Sequence, residues 1–302
     1  MKHIAVIGAG TMGNGIAHVF AQHEYRVTLI DRSSELLDRG LATIRRNMDR
    51  QVEKAVITAA QRDAAIARIK AVTSMDGLLR DCFLVVEAAT ENKAIKLDIF
   101  RQLDRETGQD TILASNTSSI SITEIASVTG KPHQVIGMHF MNPVPVMKLV
   151  EVIRGSKTSD PVADAVMECA KALDKVPVMV NDGPGFVANR ILMPMINEAI
   201  RTLQEGVADV SGIDTVMKLG MAHPMGPLQL ADLIGLDVCL SIMQVLDDGL
   251  GSTPDGKRNE HYAPATLLKE MVSAGELGVK SGSGFYRYVK GSKELVVADR
   301  FC

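Results

Sequence analysis

Cysteine is scarce and scattered: Cys82, Cys169, Cys239 and Cys302 are the only four in 302 residues. No C-x-x-C occurs and no histidine sits at zinc-ligand spacing, so the sequence predicts no metal site and only buried or incidental thiols. Charge of one sign is also lacking. The formal net charge is -3, and nothing global points to a nucleic-acid partner. No apolar run approaches the ~20 residues of a membrane span, so no membrane partner is expected. The sequence enters an apolar strand at His3, and Gly8 and Gly10 interrupt that run. A secretory leader needs an unbroken apolar stretch and a cleavage site before the fold starts, so a cytoplasmic protein is the expectation. Internal repeats and low-complexity segments are absent.

What is present is an alternation of strands and helices. Hydrophobic residues make up 46% and charged residues 23%, the usage of a globular chain long enough for one large or two ordinary domains. His3 to Gly8 reads as a buried strand, Met12 to Glu24 as a helix, and Arg26 to Asp31 as a second strand. Together they form a βαβ unit, which is right-handed and gives a parallel sheet. A helical stretch from about Ser34 to Ala71 breaks near Ile57, where Thr58-Ala59-Ala60-Gln61 has the form of a capping box. This predicts a helical hairpin inserted in the sheet domain. Strands return at Phe83–Glu87, Thr111–Ala114, Val135–Phe140, Leu149–Ile153 and Val176–Val180, with helices at Ala94–Glu106 and Pro161–Leu173.

After Asn181-Asp182-Gly183-Pro184-Gly185 the pattern turns helical: Phe186–Glu205, Val210–Leu219, Pro227–Asp247 and Pro264–Ala274, then a possible short strand. Asp182 is expected to cap the first of these helices and Pro184 to suit its first turn. The predicted class is α/β: a Rossmann-type, mostly parallel sheet domain over residues 1–183 with an inserted helical hairpin, then an all-α domain over 184–302.

Gly8-Ala9-Gly10-Thr11-Met12-Gly13 is a G-x-G-x-x-G between a strand and a helix. In that setting Gly8 permits the tight turn, Gly10 lets backbone approach a pyrophosphate, and Gly13 lets helix pack on strand. The helix start offers unpaired amides and partial positive charge to phosphates. Asp31 ends the second strand, where a carboxylate accepts from ribose hydroxyls and repels a 2′-phosphate. NAD is therefore favoured over NADP, although Arg32 next to it tolerates that phosphate.

His139 closes the strand Val135–Phe140, and Glu151 lies on the next strand beyond the rigid Asn142-Pro143-Val144-Pro145. If the strands are neighbours, the carboxylate fixes the imidazole tautomer and the other ring nitrogen becomes a general base. Spacing alone leaves a structural pair open. Location adds to the case, because Ser115-Asn116-Thr117-Ser118-Ser119 follows another strand and would border the same crevice. Arg46, Arg50 and Lys54 recur at i, i+4, i+8 on the hairpin. They form either a basic stripe for phosphates or a solvated face paired with Asp49 and Glu53.

Six segments in order resemble the 3-hydroxyacyl-CoA dehydrogenases: GAGTMGNG from Gly8, VVEAATEN from Val85, ASNTSS from Ala114, GMHFMNPVPVMKLVEV from Gly137, DGPGFVANR from Asp182 and HPMGPL from His223. The resemblance, strongest to the single-function bacterial 3-hydroxybutyryl-CoA enzymes, implies NAD-dependent oxidation of an L-3-hydroxyacyl-CoA to the 3-oxoacyl-CoA. It implies that His139 is the base and Glu151 its partner, with Ser118 and Asn189 holding the substrate oxygen and thioester end. Asp31, Glu91, Lys96, Ser118, Asn142 and Lys280 would contact the dinucleotide beside Gly8, Gly10, Thr11, Met12 and Gly13. Arg50 and Lys54 would meet coenzyme A, and the helical domain would form a homodimer. Without the resemblance, Glu91 and Lys96 read as solvated helix charges and Asn189 as an exposed helical residue. Met141, where many relatives carry phenylalanine, departs from the pattern, and Val289–Cys302 has no assigned role. Two alternatives stay open: a dehydrogenase of a free hydroxy acid such as gulonate, and a non-catalytic NAD-binding protein.

Overall fold

The structure, a computed structural model, describes residues 1–253, 255–289, 291 and 294–302. Its contacts divide the chain into two compact units, Met1–Gly183 and Pro184–Cys302.

In chain order the first unit contains β1 (His3–Ile7), α1 (Thr11–Gln22), β2 (Arg26–Ile30), α2 (Ser34–Glu53), α3 (Ala59–Ala67), β3 (Ile69–Val72), β4 (Leu84–Glu87), α4 (Lys93–Glu106), β5 (Ile112–Ser115), α5 (Ile122–Ala126), β6 (Val135–Phe140), β7 (Leu149–Arg154), α6 (Asp160–Ala172) and β8 (Val176–Asn181). The strands pair in the order β3-β2-β1-β4-β5-β6-β7-β8. Every pairing is parallel except β6 with β7. Every residue of β1, β4, β5 and β6 is buried, which is why these strands read as continuous runs and not as alternating ones.

The hairpin inserted between β2 and β3 is set by local chemistry. Ser33 caps α2 by accepting from the Leu36 amide at 3.3 Å, and Leu37, Gly40, Ile44 and Met48 bury one helical stripe. At the start of α3, Thr58 Oγ1 accepts from the Gln61 amide and Gln61 Oε1 accepts from the Thr58 amide, a complete capping box. Arg62 ties the two helices together through Asp49 at 2.9 Å.

Three features of this unit differ from the sequence reading. Residues 69–72 form the edge strand β3, not the end of a helix; pairing with β2 overrides local propensity. The short α5, capped by Ser121, was not anticipated. Asp182 does not cap the helix that follows it. Its carboxylate accepts from Ser121 Oγ at 2.7 Å and from the Thr123 amide at 2.8 Å, so it anchors the start of α5.

The second unit contains α7 (Ala188–Gln204), α8 (Val210–Thr215), α9 (Pro227–Ile234), α10 (Leu236–Leu250), α11 (Thr266–Ser273), β9 (Tyr286–Arg287) and β10 (Val296–Val297). α7 starts at Ala188, not Phe186, because Gly185 and Phe186 both have positive φ. The single helix expected over Pro227–Asp247 is two helices bent by 98°, with Gly235 at φ 103° between them. Among the described residues no single helix is long and apolar enough to cross a membrane.

Two buried carboxylates organise this core. Asp214 accepts from the Leu228 and Gln229 amides and the Tyr286 hydroxyl. Asp232 accepts from the Phe285 and Tyr286 amides and the Tyr288 hydroxyl. Burial pushes the Asp232 carboxyl up to about 6 despite those donors. The C-terminal segment belongs to the same core. β10 pairs antiparallel with β9, Phe301 stacks on Phe285 at 5.7 Å, and Arg300 pairs with Glu270 and Glu276. Within that segment Lys290, Ser292 and Lys293 lie outside the described residues.

Candidate active site

The glycine turn lies at the carboxyl end of β1. Gly8 adopts φ +99°, and a Cβ there would stand 2.7 Å from Ala88 O. A Cβ on Gly13 would stand 1.8 Å from Gly8 O, whereas one on Gly10 would meet nothing within 4 Å. The two outer glycines therefore serve the fold, and the middle one leaves open space over the start of α1. Among the described residues no side chain caps that helix, so its first-turn amides, including those of Thr11 and Met12, have no side-chain capping partner there. This cradle fits a dinucleotide pyrophosphate.

Asp31 sits just beyond β2. Its carboxylate accepts from the Ala9 amide and the Arg32 amide, each at 2.7 Å. Each oxygen keeps acceptor capacity beyond one bond, so Asp31 can brace the turn and still accept from ribose hydroxyls.

The carboxyl ends of β4 and β5 carry a polar network. Glu87, wholly buried, ion-pairs with Lys96 and accepts from Ser115 Oγ at 3.0 Å and the Ala89 amide at 2.9 Å. Glu91 accepts from Thr117 Oγ1 at 2.8 Å, and from the amide and hydroxyl of Ser118 at 2.7 and 3.0 Å. Lys96 Nζ stands 3.9 Å from Glu91. Lys96 is thus no solvated helix charge. At 1% exposure it pairs with the wholly buried Glu87, so each buried charge has its counter-charge. Sequence reasoning missed Glu87; its signal was an acidic residue closing a fully apolar strand.

His139 and Glu151 are directly opposite in the antiparallel β6–β7 register. His139 Nδ1 lies 2.7 Å from Glu151 Oε2, and the two residues are 8% and 2% exposed. Donation from Nδ1 to the carboxylate leaves the proton-accepting lone pair on Nε2. Asn116 Oδ1 accepts from the Phe140 amide at 2.9 Å, which ties the loop after β5 to the end of β6. Asn142 is exposed in the turn beyond β6. That turn is held by the buried Lys175, which donates to Val144 O and Met147 O at 2.5 and 2.8 Å. Lys175 too was missed, since its partners are backbone carbonyls of a distant loop.

In the hairpin, Arg50 lies in the last turn of α2 and Lys54 is its C-cap, both exposed. Asp49, the expected partner of this face, is engaged by Arg62. Among the described residues neither Arg50 nor Lys54 has an ion pair. In the second unit Asn189 is 9% exposed in the first turn of α7, not an exposed helical residue, and Lys280 ion-pairs with Asp237 at the start of α10.

Residues 3–183 match the family described as 3-hydroxyacyl-CoA dehydrogenase, NAD binding domain, and residues 185–288 match 3-hydroxyacyl-CoA dehydrogenase, C-terminal domain. The chain is 54% identical over 283 residues to a probable 3-hydroxybutyryl-CoA dehydrogenase of Deinococcus radiodurans, covering 94% of this chain and 99% of that one. It is 51% identical over 295 residues to a 3-hydroxybutyryl-CoA dehydrogenase of Bradyrhizobium diazoefficiens, covering 98% of each. Among solved structures it is similar to the (S)-3-hydroxybutyryl-CoA dehydrogenase of Ralstonia eutropha, with a TM-score of 0.91 and 48% identity, covering 96% of this chain and 100% of that one. With a dinucleotide cradle at β1 and a buried His–Glu pair at β6–β7, the chain belongs to the 3-hydroxyacyl-CoA dehydrogenase family of NAD-dependent oxidoreductases.

Proposed function

We propose that this enzyme interconverts a short-chain L-3-hydroxyacyl-CoA, such as 3-hydroxybutyryl-CoA, and the 3-oxoacyl-CoA. The observation that carries the reading is the hydrogen-bonded pair His139–Glu151 on the one antiparallel seam of the sheet. His139 Nε2 takes the 3-hydroxyl proton, and Glu151 stabilises the imidazolium that forms. The bound nicotinamide supplies the hydride acceptor. In the reverse direction His139 returns the proton to the 3-oxo oxygen. Ser118 and Asn189 hold the substrate oxygen and the thioester end. Asp31, Glu91, Ser118, Asn142 and Lys280 contact the dinucleotide, and Lys96 acts through Glu87 and Glu91.

In the same reading, residues 1–183 bind NAD and residues 184–302 bind substrate and form a homodimer in the cytoplasm. Arg50 and Lys54 meet the coenzyme A phosphates. Among the described residues neither has an ion-pair partner, which supports this, because the charges are then open to phosphates. The test is NADH consumption with acetoacetyl-CoA and with free acetoacetate. Turnover of the thioester alone is expected. Equal or better turnover of the free acid would shift the reading to a hydroxy-acid dehydrogenase, and no turnover of either to a non-catalytic NAD-binding protein.

A further inference from the structure

At the amino ends of the central strands three unlike donor atoms converge. His3 opens β1, and Asp81–Cys82 leads into its parallel neighbour β4. His3 Nδ1 lies 2.9 Å from Asp81 Oδ1 and 3.4 Å from Cys82 Sγ, and the three ligand atoms lie within 4.8 Å of one another. We propose that His3, Asp81 and Cys82 form a site for a borderline-soft divalent cation of the zinc class, separate from the catalytic apparatus.

The spacing suits such an ion. Tetrahedral Zn–S and Zn–N bonds of about 2.3 and 2.0–2.1 Å place nitrogen and sulfur about 3.5 Å apart. The His3–Cys82 separation already matches, and the His3–Asp81 edge has to open slightly. The scaffold is rigid where it matters. The Phe83 amide donates to His3 O at 2.9 Å and the Cys82 amide to Leu79 O at 3.1 Å, while His3 and Cys82 are both buried. Thr28 Oγ1 lies 2.9 Å from His3 Nε2. It engages the far nitrogen and directs Nδ1 to the cluster, as an outer partner of a ligating histidine does.

The donor set also selects. One sulfur, one nitrogen and one oxygen suit zinc or cobalt, not the hard ions that take only oxygen. Burial pushes the Cys82 thiol up to about 12, so the incoming ion displaces its proton to solvent, and the thiolate so formed and the Asp81 carboxylate together balance a doubly charged cation. An adjoining open cavity of about 450 Å³, lined in part by Met1, Arg80 and Phe83, gives access and room for a water as fourth ligand. Arg26 competes, because it ion-pairs with Asp81. Gly8 and His139 lie at the opposite, carboxyl ends of the strands. A bound ion would therefore tie the start of β1 to the entry of β4 and stabilise the first unit by linkage, without entering the hydride-transfer site.

The experiment is a cobalt titration of the chelator-treated full chain. One Co²⁺ per chain is expected, with a thiolate-to-cobalt charge-transfer band and the visible bands of a tetrahedral ion, both displaced by Zn²⁺. Cys82→Ser should remove the charge-transfer band, and Cys302→Ser, at an exposed cysteine, should leave it. Asp81→Asn alters an exposed side chain and spares the packing; it should weaken binding at least about tenfold. Arg26→Met frees Asp81 and should tighten it. The site is overturned if no charge-transfer band forms, if the band survives Cys82→Ser, or if binding ignores both Asp81→Asn and Arg26→Met.

Discussion

His139 and Glu151 face each other across β6 and β7, with Nδ1 2.7 Å from Oε2. Directly opposed residues of an antiparallel pair project to the same face, so a strand reversal is enough to bring base and carboxylate together. The pair is buried, and in the proposed reaction the carboxylate would both orient the imidazole and stabilise its charged form. His139→Gln is expected to lower turnover by about 10²–10⁴ while NADH binding persists. Glu151→Gln should lower turnover and alter the pH–rate profile. A pair of variants within threefold of the parent, with that profile unchanged, would remove both residues from the chemistry.

The glycine turn separates fold from ligand. Gly10 has φ -63°, which alanine adopts, and a Cβ there meets no protein atom within 4 Å. Gly10→Ala should keep the melting temperature and weaken NADH binding. Gly13→Ala drives a Cβ into Gly8 O and should cost about 1–3 kcal/mol of stability as well. Fluorescence titration with NADH and thermal melts of both variants check this. Equal behaviour of the two would remove Gly10 from the phosphate site.

Asp31→Ala, with Arg32 kept, should narrow the preference for NADH over NADPH. In the proposed reading it removes the carboxylate that would accept from ribose hydroxyls and repel a 2′-phosphate. It also frees the Ala9 amide, so some loss with both cofactors is expected. The informative readout is the ratio of the two kcat/KM values; if it does not move, Asp31 only braces the turn.

Arg50→Ala with Lys54→Ala should raise KM for acetoacetyl-CoA by roughly threefold to thirtyfold and leave KM for NADH unchanged. The effect should shrink with salt, because exposed charges are screened over about 10 Å at ~0.1 M. A pantetheine thioester, which lacks the nucleotide phosphates, should react almost equally with variant and parent. An equal loss with that trimmed substrate would mean that the stripe is structural.

Asp232 predicts a pH dependence of stability. Its folded-state pKa of about 6 lies above the ordinary carboxyl value of about 4 because of burial. Between those values the folded state binds more protons than the unfolded one, so stability falls as pH rises from about 4 to 6. Held over that whole range, the difference corresponds to at most about 3 kcal/mol. Carboxyl NMR of Asp232 should titrate near 6, and unfolding at intermediate denaturant should show the loss. A midpoint near 4 would mean that its three donors outweigh desolvation.

The sequence by itself determined the parts whose cause is local. The βαβ unit, the glycine turn, the capping box of Thr58 and Gln61 and the apolar strands all follow from neighbours a few residues apart. The six family segments likewise made the activity legible, because their order survives without coordinates. Tertiary structure decided what depends on partners far along the chain. Ile69–Val72 became a strand because the edge of β2 was open to it. Asp182 turned to Ser121 and Thr123 instead of capping its own helix. Glu87 and Lys96 neutralise each other at a depth no local pattern reveals. The same holds for His3 and Cys82, 79 positions apart, which come together because parallel strands start at one end of the sheet. Local hydrogen bonding and periodicity are encoded within a few residues, whereas burial of charge and convergence of side chains arise only once strands pair.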